Sequence, residues 1–399
     1  MSLRYTAGRI TESINPLRVP DAPASATATA TAATTATVAF TAPASSGGSA
    51  VTSYSVVPTT GGTVVSTATS PASITGLTGS TSYTFQVWAA NSYGVGPIAL
   101  SNTITTQSAG IQKAIFGYGL SSAATAITNL VSNTGVVATD TTGVGTARQA
   151  LAAANYGGDK AIFGFGFTTA RVSITNLVSN TGVVATDTTG VGTARQVLAA
   201  TGYGTDKAIF GYGHPVGLFT ALTNLVSNTG VVATDTAGVG TQRADLAAAT
   251  FGSTGQALFA YGDNSSGVGV SISNLVSNTG VVATDNSIAG TTKIGPAAAG
   301  YGTDKAIFGY GMNGSTYVDI SITNLVSNTG VVASDTAGVG TARQYLAAST
   351  YGTDKAIFGY GNGGGVDFSV TNIVSNTGVV AANTTGVGTA RYRLAAAGF

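Results

Sequence analysis

From residue 113 onward, short apolar stretches recur at a nearly fixed distance, each bounded by Gly, Asn, Ser and Thr. The run Asn-Leu-Val-Ser-Asn-Thr-Gly-Val-Val begins at Asn129, Asn176, Asn224, Asn274 and Asn324, and a copy with Ile373 for Leu begins at Asn372. Ahead of each stands Lys-Ala-Ile-Phe-Gly-Tyr-Gly or a near variant, starting at Lys113, Lys160, Lys207, Gln256, Lys305 and Lys355. These starts lie 47, 47, 49, 49 and 50 residues apart, which makes six units of about 48 residues. Each unit carries four β-prone stretches; in one of them they cover 345–349, 355–360, 368–375 and 378–383. Turn chemistry separates them: Tyr351-Gly352-Thr353-Asp354, a Gly/Asn-rich stretch, then Asn376-Thr377-Gly378 as a tight hairpin. No stretch sustains a 3.6-residue apolar period, so helices are not expected. Ala356-Ile357-Phe358 and Val379-Val380-Ala381 are apolar on both faces. Sheets packed face to face need that, whereas a half-exposed sheet alternates.

A period near 48 fits the four-stranded blade of a β-propeller. The small Leu-Ala-Ala-Ala strand that opens a unit suits a crowded innermost position. The unit starting at Lys113 lacks that strand, while the chain ends Arg391-Tyr392-Arg393-Leu394-Ala395-Ala396-Ala397-Gly398-Phe399 with no unit after it. The last strand can therefore complete the first sheet and remove the open edges of a linear array. The expectation is a six-bladed β-propeller closed by its C-terminal strand, with blades near 113–159, 160–206, 207–255, 256–304, 305–354 and 355–399. The units resemble kelch repeats: Arg343, Ala347-Ala348 and Ala356-Ile357-Phe358-Gly359-Tyr360-Gly361 follow the kelch order. Gly-Tyr-Gly replaces the paired Gly, and the kelch Tyr…Trp pair is missing, Trp88 being the chain's one Trp.

Residues 19–108 have another texture, with Ala/Thr alternation and six of the nine prolines. Pro20-Asp21-Ala22-Pro23, Ala36-Thr37-Val38-Ala39-Phe40, Ser53-Tyr54-Ser55-Val56, the segment from Leu77 to Val87, and Ala90-Asn91-Ser92-Tyr93-Gly94 stand in order. This stretch resembles a fibronectin type III domain, with Phe40 where that family usually has Trp. The resemblance implies a β-sandwich with Tyr83 as its corner tyrosine, the hydroxyl tied to nearby backbone. Residues 107–112 would link it to the propeller, and residues 1–18 form a short arm carrying Arg4, Tyr5, Arg9 and Arg18. The whole chain thus reads as all-β: arm 1–18, sandwich 19–108, propeller 109–399.

Composition narrows the function. Charged residues are 8% of the 399, with 16 Lys+Arg against 15 Asp+Glu and no basic block. A nucleic-acid backbone is held by clustered Lys/Arg, so that partner is not expected. Cys is absent and His214 is the single His, which removes thiol nucleophiles, disulfides and two-His metal sites. No apolar run nears the ~20 residues that cross a bilayer, and the first residues lack a signal peptide's apolar stretch. Membrane insertion and classical secretion are not expected. Arg148, Arg195, Arg243, Arg343 and Arg391 recur at one position per unit, as a scaffold part does; a catalytic site should break the repeat symmetry. The recurring Asp140, Asp187, Asp235, Asp285 and Asp335 give one carboxylate per unit, thin for a calcium ion that takes six to eight oxygens. No catalytic set, metal or cofactor is expected.

One segment varies while its surroundings are copied: the connection between the second and third strands of each unit. Loops that vary on one face of a repeat array often mark its binding face. Their candidate contact residues are His214, Phe219, Asn264, Ser265, Asn313, Tyr317, Asn362 and Asp367, whose aromatic and amide side chains suit a sugar ring and its hydroxyls. A short arm, a fibronectin-like spacer and a nearly neutral propeller together resemble a virion protein of a tailed bacteriophage: an appendage, fibre or decoration protein. The resemblance implies a non-enzymatic structural or adhesion role, with Arg4, Tyr5, Arg9 and Arg18 docking the arm on the particle. Its partners would be other virion proteins of capsid, neck or tail, and a host-surface glycan or protein. The protein would be assembled in the host cytoplasm, displayed on the particle exterior and oligomeric there. The alternative is a bacterial surface or secreted carbohydrate-binding adhesin.

Overall fold

The computed structural model describes residues 17–31, 34–79, 81–106 and 113–399. The fold is all-β, with no helix among the described residues, and it has two compact units that part between Ala109 and Gly110. Arg4, Tyr5, Arg9 and the 107–112 linker lie outside the described residues.

The first unit is a sandwich. One sheet joins Ala26–Ala30, Ala36–Phe40 and Ala72–Ile74; the other is built on Ser53–Pro58 and Phe85–Asn91, with Val65–Thr67 at one edge. Along Phe85–Asn91 every second residue is buried, so the strand's period of two turns Phe85, Val87 and Ala89 into the core. Phe40 packs on Tyr54 with ring centroids 4.7 Å apart. The Tyr83 hydroxyl accepts a hydrogen bond from the Thr78 N–H at 3.0 Å, the corner that the resemblance implied. Arg18, expected in the arm, is instead part of the sandwich. Its N–H donates to the Gly47 carbonyl, and its own carbonyl accepts from the buried Asn91 amide at 2.8 Å. A buried amide needs such a partner, and Arg18 supplies it.

The second unit consists of six small antiparallel sheets with three short two-stranded pairs beside them. In the second sheet Ala152–Tyr156 pairs Lys160–Gly164, which pairs Thr175–Val178. The first sheet takes its Ala-rich strand from the other end of the chain: Ala395–Gly398 lies antiparallel to Ala114–Gly117, Ala114 facing Gly398. Each Ala-rich strand lies against the next, in the order Ala152–Tyr156, Ala199–Tyr203, Ala247–Phe251, Ala297–Tyr301, Ala347–Tyr351 and Ala395–Gly398, and the last lies against the first.

The expected fourth strand is the main departure. In five sheets it is reduced to two isolated bridges, such as Val374↔Val380 and Thr371↔Thr384, and only Asn286–Ser287 forms a short fourth strand. Between the two bridges the register slips by one residue, and the Asn372 amide fills the gap by donating to the Ala381 carbonyl at 2.9 Å; Asn274 makes the same bond in the unit that keeps a short fourth strand. The first three strands also shift, to Ala347–Tyr351, Lys355–Gly359 and Thr371–Val374 in the unit quoted above.

Packing between sheets explains the copied residues. An added Cβ on Gly164 would stand 2.7 Å from Cζ of Phe210 in the next sheet, so glycine there is a packing requirement. The fourth unit has Ala260 at that place, and its Tyr261–Phe308 ring pair opens to 5.5 Å, against 5.1 Å for Tyr212–Phe259.

The recurring arginines are buried struts between sheets. Arg195, fully buried, stacks over the Phe165 ring of the preceding sheet at 4.3 Å. It donates to the Tyr212 carbonyl at 2.8 Å, the Thr193 carbonyl at 3.1 Å and Asn224 Oδ1 at 2.7 Å. Asn224 in turn donates to Ala233 O and Asp235 Oδ1. Burial opposes the Asp235 charge, but hydrogen bonds from Thr193 and Asn224 outweigh it and hold the carboxyl below its usual pKa. Arg391 makes the same contacts to the first sheet, with Tyr118 O and Asn129 Oδ1.

The fifth strut is Lys293, which the arginine pattern passes over. Fully buried over the Tyr261 ring at 4.7 Å, it is pushed down to about 8 by burial, against the pull of Asp335. Lys293→Arg should restore the forked donor set of the other struts and add about 1 kcal/mol, which thermal melts would show as a rise of a few degrees. Between pH 8 and 10 the unfolded lysine stays protonated while the folded one loses its proton. Unfolding then takes up a proton, so the lysine form gains stability as pH rises. The advantage of Arg should shrink across that window; an advantage constant with pH would contradict the burial argument.

Candidate functional site

The residue two places before each Ala-rich strand sits at the mouth of the space that these strands surround. These residues are Ala150, Val197, Asp245, Gly295, Tyr345 and Arg393, all with left-handed backbone at φ between 49° and 60°. That conformation costs a non-glycine residue roughly 1–2 kcal/mol, and a ring of hydrogen bonds sustains it. The N–H of Val197 donates to Ala150 O, Asp245 to Val197 O, Gly295 to Asp245 O, Tyr345 to Gly295 O, Arg393 to Tyr345 O, and Ala150 back to Arg393 O, all at 2.8–3.0 Å. Beneath them Leu151, Leu198, Leu246, Pro296, Leu346 and Leu394 form an apolar floor, and the two tiers line an open recess of about 100 Å³.

The backbone here is six-fold, but the side chains are not. Ala150 and Val197 make one side of the rim apolar; Asp245, Tyr345 and Arg393 make the other polar. The Tyr345 ring leans over Gly295, where an added Cβ would stand 2.7 Å from Tyr345 Cδ1. Arg393 stacks on that ring at 4.6 Å. Ala244 pairs with Asp263 across a two-residue ladder, which brings a second carboxylate beside Asp245. Burial pushes the Asp245 carboxyl up to about 7, with Arg393 pulling it down and Asp263 pushing it up. Burial likewise pushes Asp263 up to about 6 and Tyr345, with Asp245 beside it, up to about 12. Asp263 Oδ1 and Gln344 Oε1 are buried acceptors without a partner.

Asp245 lends itself to a pH test. Its usual value is 3.8, so between about pH 4 and 7 the folded form holds a proton that the unfolded form has released. Stability therefore falls as pH rises through that window. Asp245→Asn should melt progressively higher than wild type from pH 4 to 7, with Arg393, Asp263 and Tyr345 unchanged in both proteins. A difference independent of pH would show that the carboxyl is not held in this environment.

Sequence reasoning missed this mouth because Arg-x-x-Leu-Ala-Ala was read as one copied block. The signal was present: the residue before Leu or Pro is the one column of that block in which all six copies differ.

The loop residues singled out from sequence surround the same end, since Phe167, His214 and Asn362 bridge to Gln149, Gln196 and Gln344, just ahead of the mouth. They fall into two groups rather than one cluster. His214 packs edge-on against Phe219 at 4.9 Å, and Arg171 of the preceding unit donates to its carbonyl at 3.0 Å. On the other side the Tyr317 hydroxyl donates to Gly267 O at 3.1 Å, and Gly364 N–H to Asp319 at 3.0 Å, tying the last three loops together. Asn264 Oδ1 and Asn313 Oδ1 cap their own loops, and Asn362 donates to Asp367. Ser265 is exposed.

Comparison with known proteins bears first on the sandwich. A family model for the fibronectin type III domain matches residues 21–107. Residues 21–107 are a fibronectin type III domain. A crystal structure of titin domains is 29% identical to this chain, with TM-score 0.21, over 23% of this chain and 33% of that one; the chain thus spans a third of that structure's length. The structure of YjhT is 12% identical with TM-score 0.51, covering 69% of this chain and 98% of that one. At that identity the likeness speaks for the fold alone. No curated protein matches the chain.

A β-rich chain with an N-terminal fibronectin type III domain is consistent with a structural or adhesion role. Among the described residues no three His, Cys, Asp or Glu side chains converge as a metal site would require, and no helix is long and apolar enough to cross a membrane. What the mouth offers is an apolar floor, one aromatic face, and donors and acceptors along half its rim.

Proposed function

We propose that the repeat unit is a six-bladed, kelch-like β-propeller closed by its C-terminal strand, and that the chain is a non-enzymatic virion protein of a tailed bacteriophage. In this reading the residues ahead of Leu17 dock on the particle, the fibronectin type III domain is the spacer, and the propeller meets the host surface or shields the particle. The supporting observation is where symmetry is lost. The struts, inner strands and hairpins are copied six times, while the mouth and the loops around it, all at one end, differ from unit to unit. That end also carries exposed apolar side chains at its loop tips, including Val216, Leu218, Tyr317 and Val366, as a contact surface does. The even charge and the absence of Cys suit a particle built in a reducing cytoplasm.

The test is immunogold microscopy with an antibody to residues 113–399, on particles and on host cells. Gold at one place on the particle is expected; gold on uninfected cells with bare particles would replace this reading with the adhesin. Deleting residues 1–16, which leaves Arg18 and its bonds to the sandwich in place, should abolish incorporation, and unchanged incorporation would remove the docking role of the arm.

A further inference from the structure

We propose that the mouth is a monosaccharide-sized site for the terminal neutral pyranose of a host glycan, with Tyr345, Asp245 and Arg393 as its recognition groups. This deepens the adhesion reading and rests on it. A pyranose has an apolar face of C–H groups and a rim of hydroxyls. The mouth has the complement: leucine floor and the Ala150/Val197 side for the C–H face, donors and acceptors along the opposite rim.

Three observations converge. The opening holds about 100 Å³, room for several water molecules and so for one small ring rather than a longer ligand. On the polar side of the recess Arg393 stacks on the Tyr345 ring at 4.6 Å, which sets an aromatic face and a donor side by side at the rim. Finally, Arg393 and Asp245 stand three places apart on a ring of six and form no ion pair. The guanidinium is left to donate, and the Asp245 carboxyl, pushed up to about 7, accepts once ionised above that pH. At pH 8 a ligand carboxylate would face the Asp245 charge along with Arg393, so uronic and other acidic sugars should be excluded there. Gly295 completes the site by leaving Tyr345 free to lean over the floor.

Full-length protein would be titrated at pH 8 by saturation-transfer NMR with the methyl pyranosides of glucose, galactose and mannose, with N-acetylglucosamine, and with glucuronic acid. At least one neutral sugar is expected to give saturation transfer, with glucuronic acid silent. Tyr345→Ala and Asp245→Asn should each weaken it tenfold or more, while Val136→Ala, exposed in a hairpin at the other end of the sheets, leaves it unchanged. Because Tyr345→Ala could disturb the ring, Tyr345→Phe serves as the folded control and should retain most binding. No transfer from any sugar, or equal binding by Asp245→Asn and wild type, would overturn the site. Particles that adhere to cells equally well with Tyr345→Ala would do so too, yet leave the adhesion reading standing; particles that never adhere would remove that reading itself.

Discussion

Removing residues 391–399 is expected to abolish cooperative unfolding of the repeat unit. The deletion takes away the strand Ala395–Gly398 that pairs Ala114–Gly117, the strut Arg391 with its bonds to Tyr118 O and Asn129, and the buried Leu394 and Phe399. It also opens the hydrogen-bond ring at Arg393. Two sheets then expose apolar faces, and Ala114–Gly117 becomes an unpaired edge open to aggregation. The loss is comparable with the ~5–15 kcal/mol that holds a domain together. Calorimetry and size-exclusion chromatography should show a broad, low-enthalpy transition and oligomers. A single transition within a few degrees of wild type would mean that the last strand is dispensable.

Asn224→Leu should be among the most damaging single substitutions, although side-chain volume hardly changes. Asn224 is fully buried, accepts from Arg195 and donates to Ala233 O and Asp235. Leucine leaves a buried guanidinium, a carboxylate and a carbonyl each short of a partner, and breaking such a network costs about 3–5 kcal/mol. At 2–4 °C per kcal/mol for large domains, the melting point should fall by about 10 °C. Asn224→Asp, which retains an acceptor for Arg195, should lose less. If leucine matched wild type, packing rather than polar bonding would hold the sheets.

Much of this was legible in the chain because repetition makes the same statement six times. The Asn-Thr-Gly-Val hairpins, the Gly-Tyr-Gly strand ends and the orphan strand at the C-terminus each pointed to one arrangement. Tyr83 and Phe40 likewise marked the sandwich. The fourth strand was over-read because Asn372 and its copies look like ordinary strand residues, and propensity does not tell that their amides enter the ladder. The arginine pattern hid Lys293, since a search for copies passes over the copy that differs. The mouth was invisible for a deeper reason: Asp245, Tyr345 and Arg393 are about 50 to 150 residues apart, and only the ring of left-handed residues brings them around one opening. Part of the sequence signal lay in the non-uniform column, where a conserved-looking motif drew attention away from variation.

The first sheet has a mechanical consequence. Ala114–Gly117, directly after the linker, is the central strand of its sheet, with Thr128–Val131 on one side and Ala395–Gly398 on the other. Tension entering ahead of Ala114 therefore bears on two ladders at once. A central strand must part from both neighbours to leave its sheet, whereas an edge strand parts from one. A tether entering at an edge would unzip under drag; this one is gripped from both flanks.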